Sequence, residues 1–74
     1  MAYSKEETAY LKQVGRQIRA IREGLHLSQE KFALQCGLDR TYVGGVERGE
    51  RNISVLNMRK LAETLGVSPK LFIP

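Results

Sequence analysis

The sequence has little of what enzymes and metal centres are built from. Its 74 residues include one cysteine, one histidine, two prolines and no tryptophan. A single cysteine, Cys36, excludes an internal disulfide, and one cysteine with one histidine cannot complete the four ligands of a structural zinc site. There is no paired acid–base cluster, no nucleophile with a base at suggestive spacing and no phosphate-binding glycine loop. No catalytic residue, cofactor, metal or small-molecule ligand is therefore expected. No apolar run approaches the roughly 20 residues that span a bilayer, and "MAYSKEETAYLK" lacks a signal peptide's apolar core. The expectation is a cytoplasmic chain with no membrane partner. Both prolines, Pro69 and Pro74, lie near the end, and no stretch of four or more residues alternates cleanly as a strand does. An all-α chain remains.

What is present fits a small soluble domain, with 42% apolar and 27% charged residues. A chain of this length buries only about 60% of its unfolded surface, so a partner subunit is a reasonable expectation. A net charge of +4 suits a polyanionic partner.

Helical signals follow one another along the chain. "SKEE" has the form of a capping box with Ser4 as cap and Glu7 reaching back. Leu11, Val14, Ile18, Ile21 and Leu25 then keep the three-four spacing of one buried stripe, with Lys12, Arg16, Arg19 and Arg22 beside it as a solvated face or a row for phosphates. Gly24 ends or weakens this helix, and His26 falls in the turn that follows. Ser28 caps a second helix that buries Phe32, Ala33 and Cys36, the last as a small apolar filler, and Gly37 closes it. Asp39 caps a third with Val43 and Val46 inward. Ser54, or the residue beside it, starts a fourth with Val55, Met58, Leu61, Ala62 and Leu65 on one side, ended by Gly66. Ser68 and Pro69 open a short fifth.

Two short helices joined through "CGLD" make a helix-turn-helix, which needs a small residue where the helices touch and a glycine where the chain reverses. Ala33 and Gly37 supply these, and Val43 and Val46 fasten the second helix to the first. With those valines inward, the 100° step per residue turns Arg40, Thr41, Gly44, Gly45 and Arg48 outward.

"LSQEKFALQCGLDRTYVGGVERGERNIS" resembles the Cro/C1-type helix-turn-helix proteins, the XRE family, and the likeness runs from about Val14 to Ile73 through "LAETLGVSPKLF". More narrowly, "LDRTYVGGVERGERN" is similar to the controller proteins of restriction–modification systems, small homodimeric regulators. The resemblance implies a compact five-helix bundle of the lambda-repressor-like type. It would be one domain over residues 1–74, with the helix-turn-helix at about 28–48 and helices four and five, about 54–73, serving core and dimerisation. It also implies that the second helix starts at the DNA backbone and the third enters the major groove.

Arg40 and Thr41 lie at the end of the third helix that reaches base edges in this motif. Tyr42 either packs on the motif's core or lies along the DNA. Gly44 and Gly45 face the groove, each at a helix-interior cost of about 1 kcal/mol relative to alanine, where many relatives carry a polar reader. Ser28, Gln29, Arg48, Arg51, Asn52 and Arg19 are the candidate backbone contacts; Glu47 is expected to be structural. One recognition helix reads too few base pairs for selectivity, so a homodimer on a palindromic operator is expected. Val55, Leu56, Leu71, Phe72 and Ile73 are its candidate interface, unless Leu71 and Phe72 close the monomer core instead. The function so implied is an autoregulating, sequence-specific transcription regulator, with RNA polymerase as a further partner. The alternative is a phage-type repressor or an antitoxin, although an antitoxin would be expected to carry an extra segment beyond Pro74.

Overall fold

The computed structural model describes residues 2–74. Four helices follow in order, α1 (Lys5–Gly24), α2 (Gln29–Cys36), α3 (Arg40–Glu47) and α4 (Val55–Leu65), and Pro69–Phe72 form a 3₁₀ turn. No strand occurs among the described residues. The expected fifth helix is thus corrected to one 3₁₀ turn. Ser68 caps it and Pro69 opens it, but Ile73 has already returned to extended backbone at φ −95° and ψ 121°.

Local chemistry sets the helix starts. At α1 the Ser4 amide donates to Glu7 Oε1 at 2.9 Å and Ser4 Oγ accepts from the Glu7 amide at 3.1 Å. Ser28, Asp39 and Ser54 accept from the amides of Lys31, Thr41 and Asn57 at 3.0, 2.7 and 3.1 Å. Each such cap is worth about 1 kcal/mol over alanine. At the other ends of α2 and α4, Gly37 and Gly66 take the left-handed conformation at φ 71°.

The core is where all five segments converge. Ile18 of α1, Phe32 of α2, Val43 and Val46 of α3, Leu61 of α4 and Phe72 of the 3₁₀ turn are its largest fully buried side chains. Phe72 is therefore removed from the expected dimer interface. The 3₁₀ turn packs on both α1 and α4 and drives its ring inward, while Leu71 and Ile73 on either side stay exposed. Two stripe assignments are corrected as well. Leu25 is exposed just beyond the last residue of α1. Val55, the first residue of α4, is 81% exposed; side chains of a first turn tilt back toward the helix start, and α4 buries Leu61, Ala62 and Leu65 instead.

α1 and α3 meet main chain to main chain. A Cβ on Gly15 would land on the carbonyl oxygens of Val46 and Glu47, and one on Gly49 would lie 2.7 Å from Lys12 Cα. Gly49 also holds φ 76°, which disfavours any other residue. A glycine on each side of the crossing fixes how α3 sits against the body of the fold.

Candidate nucleic-acid interface

The first turns of α2 and α3 present their polar residues side by side. Arg40 and Thr41 are exposed at the start of α3, and Arg40 Nη1 donates to Oε1 of Gln29, the first residue of α2, at 3.5 Å. Ser28 lies exposed at the cap of α2. The sequence-chosen residues at 28, 29, 40 and 41 are thus brought into one patch. Each helix start there also carries free amides and a partial positive charge, which favour a phosphate oxygen.

Gln29 is held from the opposite side. Its Nε2 donates to Glu47 Oε1 at 3.1 Å, which leaves its second amide proton for an outside acceptor. Glu47 is buried and takes a bidentate grip from Arg22, with Nε to Oε2 at 2.7 Å and Nη2 to Oε1 at 3.0 Å. Arg22 Nη1 also donates to the Leu27 carbonyl at 2.7 Å. The bond to Glu47 holds the Arg22 guanidinium above its already high ordinary value, against the opposing effect of burial. Arg22 is therefore not part of the solvated basic row. It lies four residues beyond Ile18, the spacing that places a residue on the same helix face, and that signal could have identified it. Glu47 is structural as expected, and its partner comes from α1.

Gly44 and Gly45 do not face an open groove. Both are buried, because long side chains fold back over them. Arg48 Nη1 and Gln29 Oε1 lie 3.0 and 3.1 Å from where a Gly44 Cβ would sit, and Arg51 Cγ lies 2.9 Å from the corresponding point at Gly45. Arg48 is exposed and paired with Glu50, Nε to Oε2 at 3.0 Å and Nη2 to Oε1 at 3.1 Å. That bond keeps the Glu50 carboxyl below its ordinary range. Arg51 places its guanidinium carbon 5.9 Å from the centre of the Tyr42 ring. Tyr42 is half-buried, and its hydroxyl accepts from Asn57 Nδ2 at 3.1 Å. It packs on the motif and still has a hydroxyl proton to give. Asn57 carries no signal at sequence level, since nothing local ties α4 to Tyr42.

The remaining candidates stand apart from this patch. Arg19 is exposed and pairs with Glu23 one turn on at 3.1 Å. Asn52 is exposed and lines a groove with Tyr3, Tyr10, Met58 and Ile73. Val55, Leu56, Leu71 and Ile73 are exposed apolar groups at the other end of the chain. Burial raises the Cys36 thiol above its usual range, so it stays protonated and unreactive at neutral pH. Among the described residues, no group of three or more His, Cys, Asp or Glu side chains could hold a metal, and no helix is long and apolar enough to cross a membrane.

Known proteins resemble this chain in sequence and fold. The model of a helix-turn-helix family, HTH_3, matches residues 18–72. The control protein C.BamHI of Bacillus amyloliquefaciens is 47% identical over 57 residues, covering 76% of this chain and 70% of its own. The restriction-modification controller protein C.AhdI of Aeromonas hydrophila superposes with a TM-score of 0.86 at 48% identity, over 88% of this chain and 98% of its own. The controller protein C.Esp1396I, solved as a tetramer in complex with its natural 35 base-pair operator, superposes with a TM-score of 0.77 at 35% identity, over 85% and 83% of the two chains.

Proposed function

The chain belongs to the helix-turn-helix family of DNA-binding regulators, and on that premise we propose that it acts as a homodimer on a palindromic operator, as a restriction–modification controller. Supporting this reading is the single patch formed by the first turns of α2 and α3, where Arg40 reaches Gln29. With α3 in the major groove, Arg40 and Thr41 meet base edges while Gln29 and Ser28 hold the phosphates beside them. Arg48, which caps α3, and Arg51, which folds back over it from the loop beyond, are further backbone contacts, as are Asn52 and Arg19. Position relative to the promoter then decides between repression and activation, the latter through RNA polymerase, and binding upstream of its own gene would make the regulator self-limiting. A regulator of this kind would work in the cytoplasm.

Arg40→Ala tests the readout. The fold is retained, because Arg40 is exposed, while specific binding weakens by about 1–3 kcal/mol and preference relaxes at one base pair. Selection of sites from random DNA, followed by gel shifts over a salt series, measures both. Unchanged affinity and preference would remove Arg40 from the readers, and absence of binding to any duplex at low salt would remove the function.

The two-fold contact is assigned to the exposed apolar groups of α4 and the 3₁₀ turn. Leu56 is 71% exposed, and burying it once from each protomer stabilises a dimer by roughly 3 kcal/mol. Leu56→Ala should therefore weaken self-association by about a hundredfold in sedimentation equilibrium, with the helical signal intact. An unchanged dimer constant would move the interface elsewhere.

A further inference from the structure

The glycines within α3 differ in kind from those at the α1–α3 crossing. At Gly15 and Gly49 an added Cβ meets main chain, which cannot give way. At Gly44 and Gly45 it meets only Gln29, Arg48 and Arg51, polar side chains that rise from the surface. Alanine is a better helix former at both positions, and the core does not require glycine at either. The space is used by cations.

Each arginine is held at two points. Glu50 takes the Nε and Nη2 edge of Arg48, which leaves Nη1, the nitrogen lying over Gly44, as the free end. Arg51 lays its stem on Gly45 with Cγ, Nε and Cδ at 2.9, 3.5 and 3.8 Å from the Cβ position, and carries its charge toward the Tyr42 ring. Asn57 fixes that ring through its hydroxyl. A side chain at 45 would strike Arg51 in mid-stem, so the exposed arginine would have to leave its seat.

We propose that Gly44 and Gly45 are positioning residues for DNA binding, seats that let Arg48 and Arg51 lie back across the outer face of α3 and present the donors that positions 44 and 45 lack. An arginine already ordered before the duplex arrives loses less rotamer freedom on binding. The inference rests on the DNA-binding reading and adds to it which groups fill the middle of the recognition helix.

Titrations of the full chain on a duplex that the wild-type protein enriches from a randomised library test this. Gly44→Ala and Gly45→Ala are expected to melt no lower than wild type, yet to bind roughly 5- to 20-fold more weakly, the share of one arginine contact. Gly45→Ala should change affinity by less than about twofold when Arg51 is already alanine, and Gly44→Ala likewise when Arg48 and Gln29, the two side chains its Cβ would meet, are both alanine. Gly45→Ala should also lower the salt slope by about one, as Arg51→Ala does. Equal losses in both backgrounds would overturn the proposal and assign the glycines to direct approach of bare backbone. Unchanged affinity would overturn it too. If the wild-type chain enriches no duplex, the DNA-binding reading falls first and this proposal with it.

Discussion

Gly15→Ala is expected to lower the melting temperature by roughly 5–15 °C. The added carbon would fall on the carbonyl oxygens of Val46 and Glu47, and 2.7 Å from the Glu47 carbonyl carbon. Both obstacles are main chain at the end of α3, so no rotamer change relieves the clash. α1 and α3 must move apart, opening the layer that buries Val14, Ile18, Val43 and Val46. Overpacking of this kind costs about 1–3 kcal/mol and occasionally more, against the gain of up to about 1 kcal/mol that alanine brings to a helix interior. Gly24→Ala is the matched control, because a Cβ there meets nothing within 4 Å and only the helical gain remains. Thermal melts at one protein concentration should show opposite signs for the two variants. Equal shifts would mean that the α1–α3 crossing yields where the structure says it cannot.

Glu47→Ala is the second large effect, at about 3–5 kcal/mol of unfolding free energy. The Arg22 and Glu47 side chains are 9% and 3% exposed. Removing the carboxylate strands a buried guanidinium whose Nε and Nη2 then have no acceptor, and Gln29 loses its own. Arg22 cannot escape by losing its proton, since a guanidinium stays charged in proteins far above neutral pH; in the intact protein the pair with Glu47 raises it further, and a raised cation contributes below its unfolded pKa and fades only in strong alkali. The deficit should therefore be flat across neutral pH. A paired change, Arg22→Met with Glu47→Leu, removes both charges and should recover most of the loss, which denaturant titration can measure. A deficit below about 1 kcal/mol for Glu47→Ala would show that water reaches the pair.

Local signals made the frame of this fold readable, and distant ones stayed hidden. Ser4, Ser28, Asp39, Ser54 and Ser68 cap the segments they were expected to cap, because each cap bonds an amide two or three residues away. Gly37 and Gly66 close their helices for the same reason. The helix-turn-helix was legible from Ala33, Gly37, Val43 and Val46, all four of which are buried or at the turn. Gly15 went unnoticed because its constraint comes from residues more than thirty positions away, and helical periodicity treats it as a neutral gap. Arg22 was placed in an outward basic row, solvated or facing phosphates, because its partner lies 25 residues on. Phe72 could be core or interface in a one-dimensional pattern, and only the packing of the 3₁₀ turn on α1 and α4 decides it. At the interface, the outward rotation of Gly44 and Gly45 followed correctly from Val43 and Val46. Their cover did not, since Arg51 returns from beyond the helix.

The burial pattern of α3 limits how this regulator could be retargeted. Within α3, Val43 and Val46 sit in the core and Glu47 is buried with them, so variation at these three disturbs the scaffold before it alters a preference. Arg40, Thr41, Arg48 and Arg51 are exposed, and they flank that fixed block on both sides. On the proposed DNA-binding reading, a combinatorial library at Arg40 and Thr41, with Arg48 and Arg51 retained, would explore new operators on a backbone that stays intact.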